Sequence, residues 1–111
     1  MEAENFNQSL EQLNSLFDHD RKEVSKILAL VEQDLKNLFV AFERKNTEEI
    51  KSKIHQLKSA LAMCSFNILS AKAGEIEKLA KENSAFEKEK DEFNNIALPL
   101  LAEIKTYLCS P

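Results

Sequence analysis

The stretch RKEVSKILALVEQDLKNLFVAFERK, residues 21–45, decides the fold. Within it Val24, Ile27, Leu28, Val31, Leu35, Leu38, Phe39 and Phe42 recur at spacings of three and four, the period of one face of an α-helix rather than the alternation of a strand. No Gly or Pro interrupts the pattern. Asp20 just before it and Glu23 three residues later have the form of a capping box, so a helix is expected from Arg21 to about Lys45. At about 1.5 Å per residue it is long enough to be a strut of a helical bundle.

The same period extends in both directions. Upstream, Phe6, Leu10, Leu13 and Phe17 mark an amphipathic helix over roughly Asn5 to Phe17, which Asp18, His19 and Asp20 interrupt. Downstream, Asn46 and Glu49 form a second capping-box pair, and Ile50, Ile54, Leu57, Leu61 and Cys64 line one face of a third helix ending near Ser65 to Asn67. A fourth turns Leu69, Ala73, Ile76, Leu79 and Ala80 inward and stops around Asn83 and Ser84. The last covers about Phe86 to Leu108 with Phe86, Phe93, Ile96, Leu100, Ile104 and Leu108, and Pro99 inside it is expected to kink it. Short connections make successive helices antiparallel neighbours. The expected fold is therefore all-α: an up-down-up-down four-helix bundle with a short additional N-terminal helix, one domain over residues 1–111.

Composition agrees. One Gly and two Pro in 111 residues are too few for the turns of a β-sandwich or the glycine loops of a doubly wound sheet. A net charge of −4 argues against nucleic acid as a partner, which would call for clustered Lys and Arg. The longest apolar runs, such as Leu38 to Phe42 and Ile96 to Leu101, are too short to span a bilayer, so no membrane insertion is expected. The acidic start, Met1 to Asn5, lacks the basic and apolar regions of a signal peptide. Cys64 and Cys109 have no metal-ligand spacing and read as reduced thiols of a soluble cytoplasmic protein, or as small core residues.

The chemistry centres on Ile54-His55-Gln56-Leu57-Lys58-Ser59-Ala60-Leu61-Ala62. On a helical wheel His55 points about 140° away from the stripe of Ile50, Ile54, Leu57 and Leu61, towards solvent. Lys51 and Lys58 lie on its side, one turn before and one turn after, and Ser59 and Ala62 leave a low steric rim. An exposed imidazole has a lone pair available near neutrality, since its ordinary pKa is about 6.5. Phosphoryl transfer to it needs little beyond positioning and charge stabilisation, which a lysine one turn along supplies. The bland reading is a solitary surface histidine flanked by lysines by chance.

Ile54 to Lys58 resembles the H-x-L-K core of histidine-phosphotransfer (HPt) domains. The long helix ending in Phe42-Glu43-Arg44-Lys45 and the segment Asn46 to Ile50 are similar to that family's second helix, turn and third helix. Residues Ala73 to Ala80 resemble its A-x-x-L-E helix, which packs behind the histidine. The resemblance implies that His55 is the phosphoacceptor and Lys58 the lysine beside the phosphoryl group. It implies response-regulator receiver domains as partners, with a hybrid sensor histidine kinase as a further one. It also implies no cofactor on this chain, the magnesium being held by the receiver. The patch expected to meet a receiver is Lys51, Ser52, Ser59 and Ala62, with Phe66 either extending its apolar rim, the reading preferred here, or packing in the core. The family's glycines after the lysine and six positions later are Ser59 and Ser65 here, so a differently shaped helix end is expected at Ser65.

The remaining polar residues read as ordinary. His19 is a solvated loop histidine, and the Glu- and Lys-rich stretch Glu75 to Glu92 a solvated face with i,i+4 pairs. Nothing could bind ATP, so the chain is not expected to phosphorylate itself. Two rivals remain. The dimerisation segment of a sensor histidine kinase has the motif H-E-L-[KR]-T-P, against which Gln56 and Ala60 depart, and it is a dimeric two-helix hairpin. This chain has helices enough to close its own core as a monomer. The other rival is a non-catalytic helical-bundle adaptor.

Overall fold

A computed structural model describes residues 3–110. They form five helices: α1 Phe6–Leu16, α2 Arg21–Arg44, α3 Thr47–Met63, α4 Asn67–Lys81 and α5 Glu87–Cys109. Among the described residues there is no strand. α2 packs on α3 and α5, and α4 packs on the same two, so the four long helices close into a ring around one core. The all-α bundle with a short additional N-terminal helix is what the sequence pattern predicts. No helix among the described residues is long and apolar enough to cross a membrane.

The stripe on α2 supplies the centre of the core. Val24, Leu28, Val31, Leu35 and Leu38 are fully buried, while Ile27 and Phe39 at its edges are only partly covered. Leu79 is half-buried rather than inward, and the inward place on that turn of α4 goes to Glu77, 5% exposed. Pro99 lies within α5 without ending it. Both Pro99 and Asn95 are exposed, so the carbonyl that loses its amide partner faces water, where the loss is least costly.

The capping boxes form by halves. Asp20 Oδ1 accepts from the Lys22 and Glu23 amides at 3.1 and 3.3 Å, and Asn46 Oδ1 accepts from the Glu49 amide at 3.1 Å. The return bonds give way to other partners: the Asp20 amide donates to the Phe17 carbonyl, and Glu23 and Glu49 face Lys26 and Arg44.

With its one glycine placed elsewhere, the chain ends helices on residues that carry a Cβ. Lys45, Ser65 and Asn83 adopt the left-handed region at φ 54°, 62° and 56°. The α3 end therefore keeps the shape that a glycine would have given it. The Phe66 amide donates to the Leu61 carbonyl at 2.9 Å and the Ser65 amide to the Ala62 carbonyl at 3.0 Å, the paired bonds of a Schellman closure.

α1 seals the end of the bundle where the α3–α4 turn and the end of α5 meet. Phe6 stacks on Phe66 with ring centres 6.4 Å apart and meets Tyr107 edge-on. Ser9 Oγ donates to the Ser65 carbonyl at 3.0 Å. α4 has no side-chain cap of its own at Phe66; instead Glu4 Oε1 accepts from the Leu69 amide at 2.7 Å. Arg21 donates to the Tyr107 and Ser110 carbonyls and lies 4.7 Å over the Tyr107 ring, which holds the end of α5 to the start of α2. Cys64 is buried in the core and Cys109 exposed, both free; burial pushes the Cys64 thiol up to about 12.

The left-handed Ser65 gives the first prediction. A Cβ in that region costs about 1–2 kcal/mol, part of which glycine's greater unfolded-state freedom offsets. Ser65→Gly keeps both closing amides and the carbonyl that Ser9 uses, and should raise unfolding free energy by about 0.5–1 kcal/mol in a urea titration. A loss of stability would show that the serine side chain supports the turn.

Candidate functional site

His55 sits midway along α3. The core residues Ile54, Leu57 and Leu61, each fully buried, fix the rotation of the helix, and the His55 side chain is left 68% exposed. On α4 the buried residues Ala73, Ile76 and Ala80 do the same. Glu77, between them on the stripe, is thereby aimed at α3. Its Oε2 lies 2.5 Å from His55 Nδ1 and its Oε1 2.7 Å from Lys58 Nζ. Lys81 Nζ, one turn further along α4, lies 3.6 Å from Oε2.

Three neighbouring donors keep this carboxylate ionised. The hydrogen bond from Lys58 is the strongest influence; burial opposes it, and the His55 hydrogen bond and the charges of Lys58 and Lys81 add to it. Together they lower the Glu77 pKa from 4.5 to about 2. An ionised carboxylate has no proton to give, so the Nδ1–H of His55 must be the donor. That leaves the lone pair on Nε2, across the ring from α4. The carboxylate thus fixes both the tautomer and the orientation of the imidazole.

The chain's one glycine lies beside the same arrangement. Gly74 is in the middle of α4, and a Cβ built there would meet Lys58 Cδ at 3.8 Å, so the lysine stem lies across this position on its way to Glu77. Ser70 Oγ donates to the Lys58 carbonyl at 3.3 Å, a further tie between the two helices.

Of the expected rim, Ser52, Ser59 and Ala62 are exposed around His55, and Lys51 is half-buried and paired with Glu48 at 2.8 Å. Phe66 is not on this surface. It is 1% exposed, because the closure at Ser65 turns it inward onto Phe6; the exposed apolar residue at that end of α3 is Met63. The reading of residues 75–92 as a solvated face fails at Glu77. The signal was available: Glu77 follows Ala73 by four and precedes Ala80 by three, which places it inside the apolar stripe. His19 is an exposed loop residue, as expected. Among the described residues no cluster of three His, Cys, Asp or Glu could hold a metal ion.

The site is thus an oriented histidine at mid-height of a helical bundle, with a lysine one turn on. Residues 3–107 match the family model described as Hpt domain. The chain belongs to that family, and its function is histidine phosphotransfer in two-component phosphorelays, which makes response regulators its partners. No curated protein and no solved structure matches the chain.

The lowered Glu77 pKa sets a pH dependence. A carboxyl whose folded pKa lies below its unfolded value stabilises the fold above the unfolded value, and that contribution is lost as pH falls from about 5 towards 2. The Glu77 partners His55 and Lys81 are themselves largely exposed, so solvent screens the pairing and its contribution is on the order of 1–2 kcal/mol. Glu77→Gln should lower stability at pH 7 by that amount and flatten the loss between pH 5 and pH 2, followed by denaturant titrations across the range. An unchanged acid slope would refute the paired carboxylate.

Proposed function

We propose that His55 is the phosphoacceptor and that Nε2 is its reacting atom. The observation that carries this reading is the Glu77 bond to Nδ1, which directs the free lone pair outward. As Nε2 forms the N–P bond, the P–O bond to the receiver's aspartyl carboxylate breaks and the electron pair leaves with that carboxylate. The ring gains positive charge with its proton still on Nδ1, and Glu77 stabilises that charge. Lys58 offsets the charge of the phosphoryl oxygens.

The partner is a response-regulator receiver domain, docked over Lys51, Ser52, Ser59 and Ala62, with a hybrid sensor histidine kinase as a second one. Magnesium belongs to the receiver, and this chain needs no cofactor of its own. It works as a monomer, because its four long helices close their own core, and in the cytoplasm, in keeping with its free thiols.

Two experiments test this. His55→Gln should abolish uptake of acid-labile phosphate from a phosphorylated receiver while the fold is retained, exposed changes usually costing within about 0.5 kcal/mol. His19→Gln should label as the unaltered chain does. Retained labelling of His55→Gln would remove His55 from the role.

Ser59→Trp tests the footprint. An indole one turn beyond His55 should block receiver binding in a titration. Labelling by phosphoramidate, small enough to reach the ring, should survive. Normal exchange with a receiver would mean that the partner approaches from elsewhere.

A further inference from the structure

Glu77 has more positive neighbours than it needs. Among the described residues, Lys58 Nζ is 2.7 Å from Oε1 and Lys81 Nζ is 3.6 Å from Oε2. The first contact is tight and partly covered, the Lys58 side chain being 37% exposed; the second is loose, with Lys81 63% exposed. Phosphorylation changes the balance. A phosphoryl group brings about two negative charges to Nε2, one helical turn from Lys58. A single ammonium cannot neutralise both the phosphoryl oxygens and Glu77. Drawing Lys58 away would leave a buried carboxylate short of its main partner, which is strongly unfavourable unless another cation replaces it.

Lys81 is placed to be that cation. It sits in the last turn of α4, where the helix dipole already favours a positive charge. Its flexible stem carries three rotatable donors, and it reaches the same oxygen that holds His55. Resting on the reading of His55 as phosphoacceptor, we propose that Lys81 is a positioning residue for the phosphorylated state. When His55 carries phosphate, Lys58 moves from Glu77 to the phosphoryl oxygens and Lys81 closes on Glu77 in its place. The carboxylate stays charged and keeps its bond to Nδ1, so the phosphorylated ring keeps its orientation for the return transfer.

The full chain is labelled with phosphoramidate, and the lifetime of the phosphohistidine is measured at neutral pH in four proteins: the unaltered chain, Lys81→Met, Glu77→Gln and the double variant. Lys81→Arg serves as the conservative replacement. Lys81→Met should shorten the lifetime about two- to fivefold, the effect of one partly exposed ion pair, and Lys81→Arg should restore most of it. In the Glu77→Gln background Lys81→Met should have no further effect, because a neutral amide needs no cation. An unchanged lifetime in Lys81→Met, or an equal loss with Gln at position 77, would overturn the assignment while leaving His55 as acceptor. A chain in which His55 takes no label would overturn both.

Discussion

A carboxylate held out of water between two helices has to be met by donors, and here that requirement fixes how α3 and α4 face each other. Both main donors come from α3: His55 and Lys58 are three residues apart and so share one face. Each takes one oxygen of Glu77. Sliding α3 along α4 would break both bonds and leave a buried charge unpaired, an outcome far costlier than the loss of a surface ion pair. The buried stripes of the two helices fix their rotation, and the Lys58 stem passes beside Gly74 on its way to the carboxylate. The imidazole is consequently oriented before any partner arrives, and in the transfer proposed for His55 this removes an ordering cost.

How much of this could be read in the sequence depended on how local its cause was. The α2 stripe and the caps at Asp20 and Asn46 arise within a turn or two of the chain, and the bounds of α2 and the start of α3 followed from them to within a residue. His55 and Lys58 were legible because they share a helix with the apolar stripe that orients them. Glu77 was not, because its partners lie 22 and 19 residues away on another helix. Taken alone, a Glu among Lys and Glu residues looks solvated, and only its place within the Ala73–Ile76–Ala80 stripe says otherwise. Phe66 was misplaced for a different reason. The wheel that places Ser59 and Ala62 ends with the helix at Met63, and beyond it the left-handed Ser65 redirects the chain into the core. The capping boxes were half right because Glu23 and Glu49 have cations nearby that compete with a backbone amide.

The cap on α4 joins parts of the chain that are distant in sequence. Glu4 and Leu69 are 65 residues apart, and Ser9 and Ser65 are 56 apart. The contacts of α2 with α3 and of α3 with α4, by contrast, connect sequence neighbours. Closing a long loop costs entropy before the contact repays it, so the Glu4 and Ser9 contacts carry a larger closure cost than those of α2 with α3 and of α3 with α4. The helix that carries Glu77 is thus anchored at its middle by the helix next to it in sequence, through Lys58 and His55, and at its start by a residue 65 positions away.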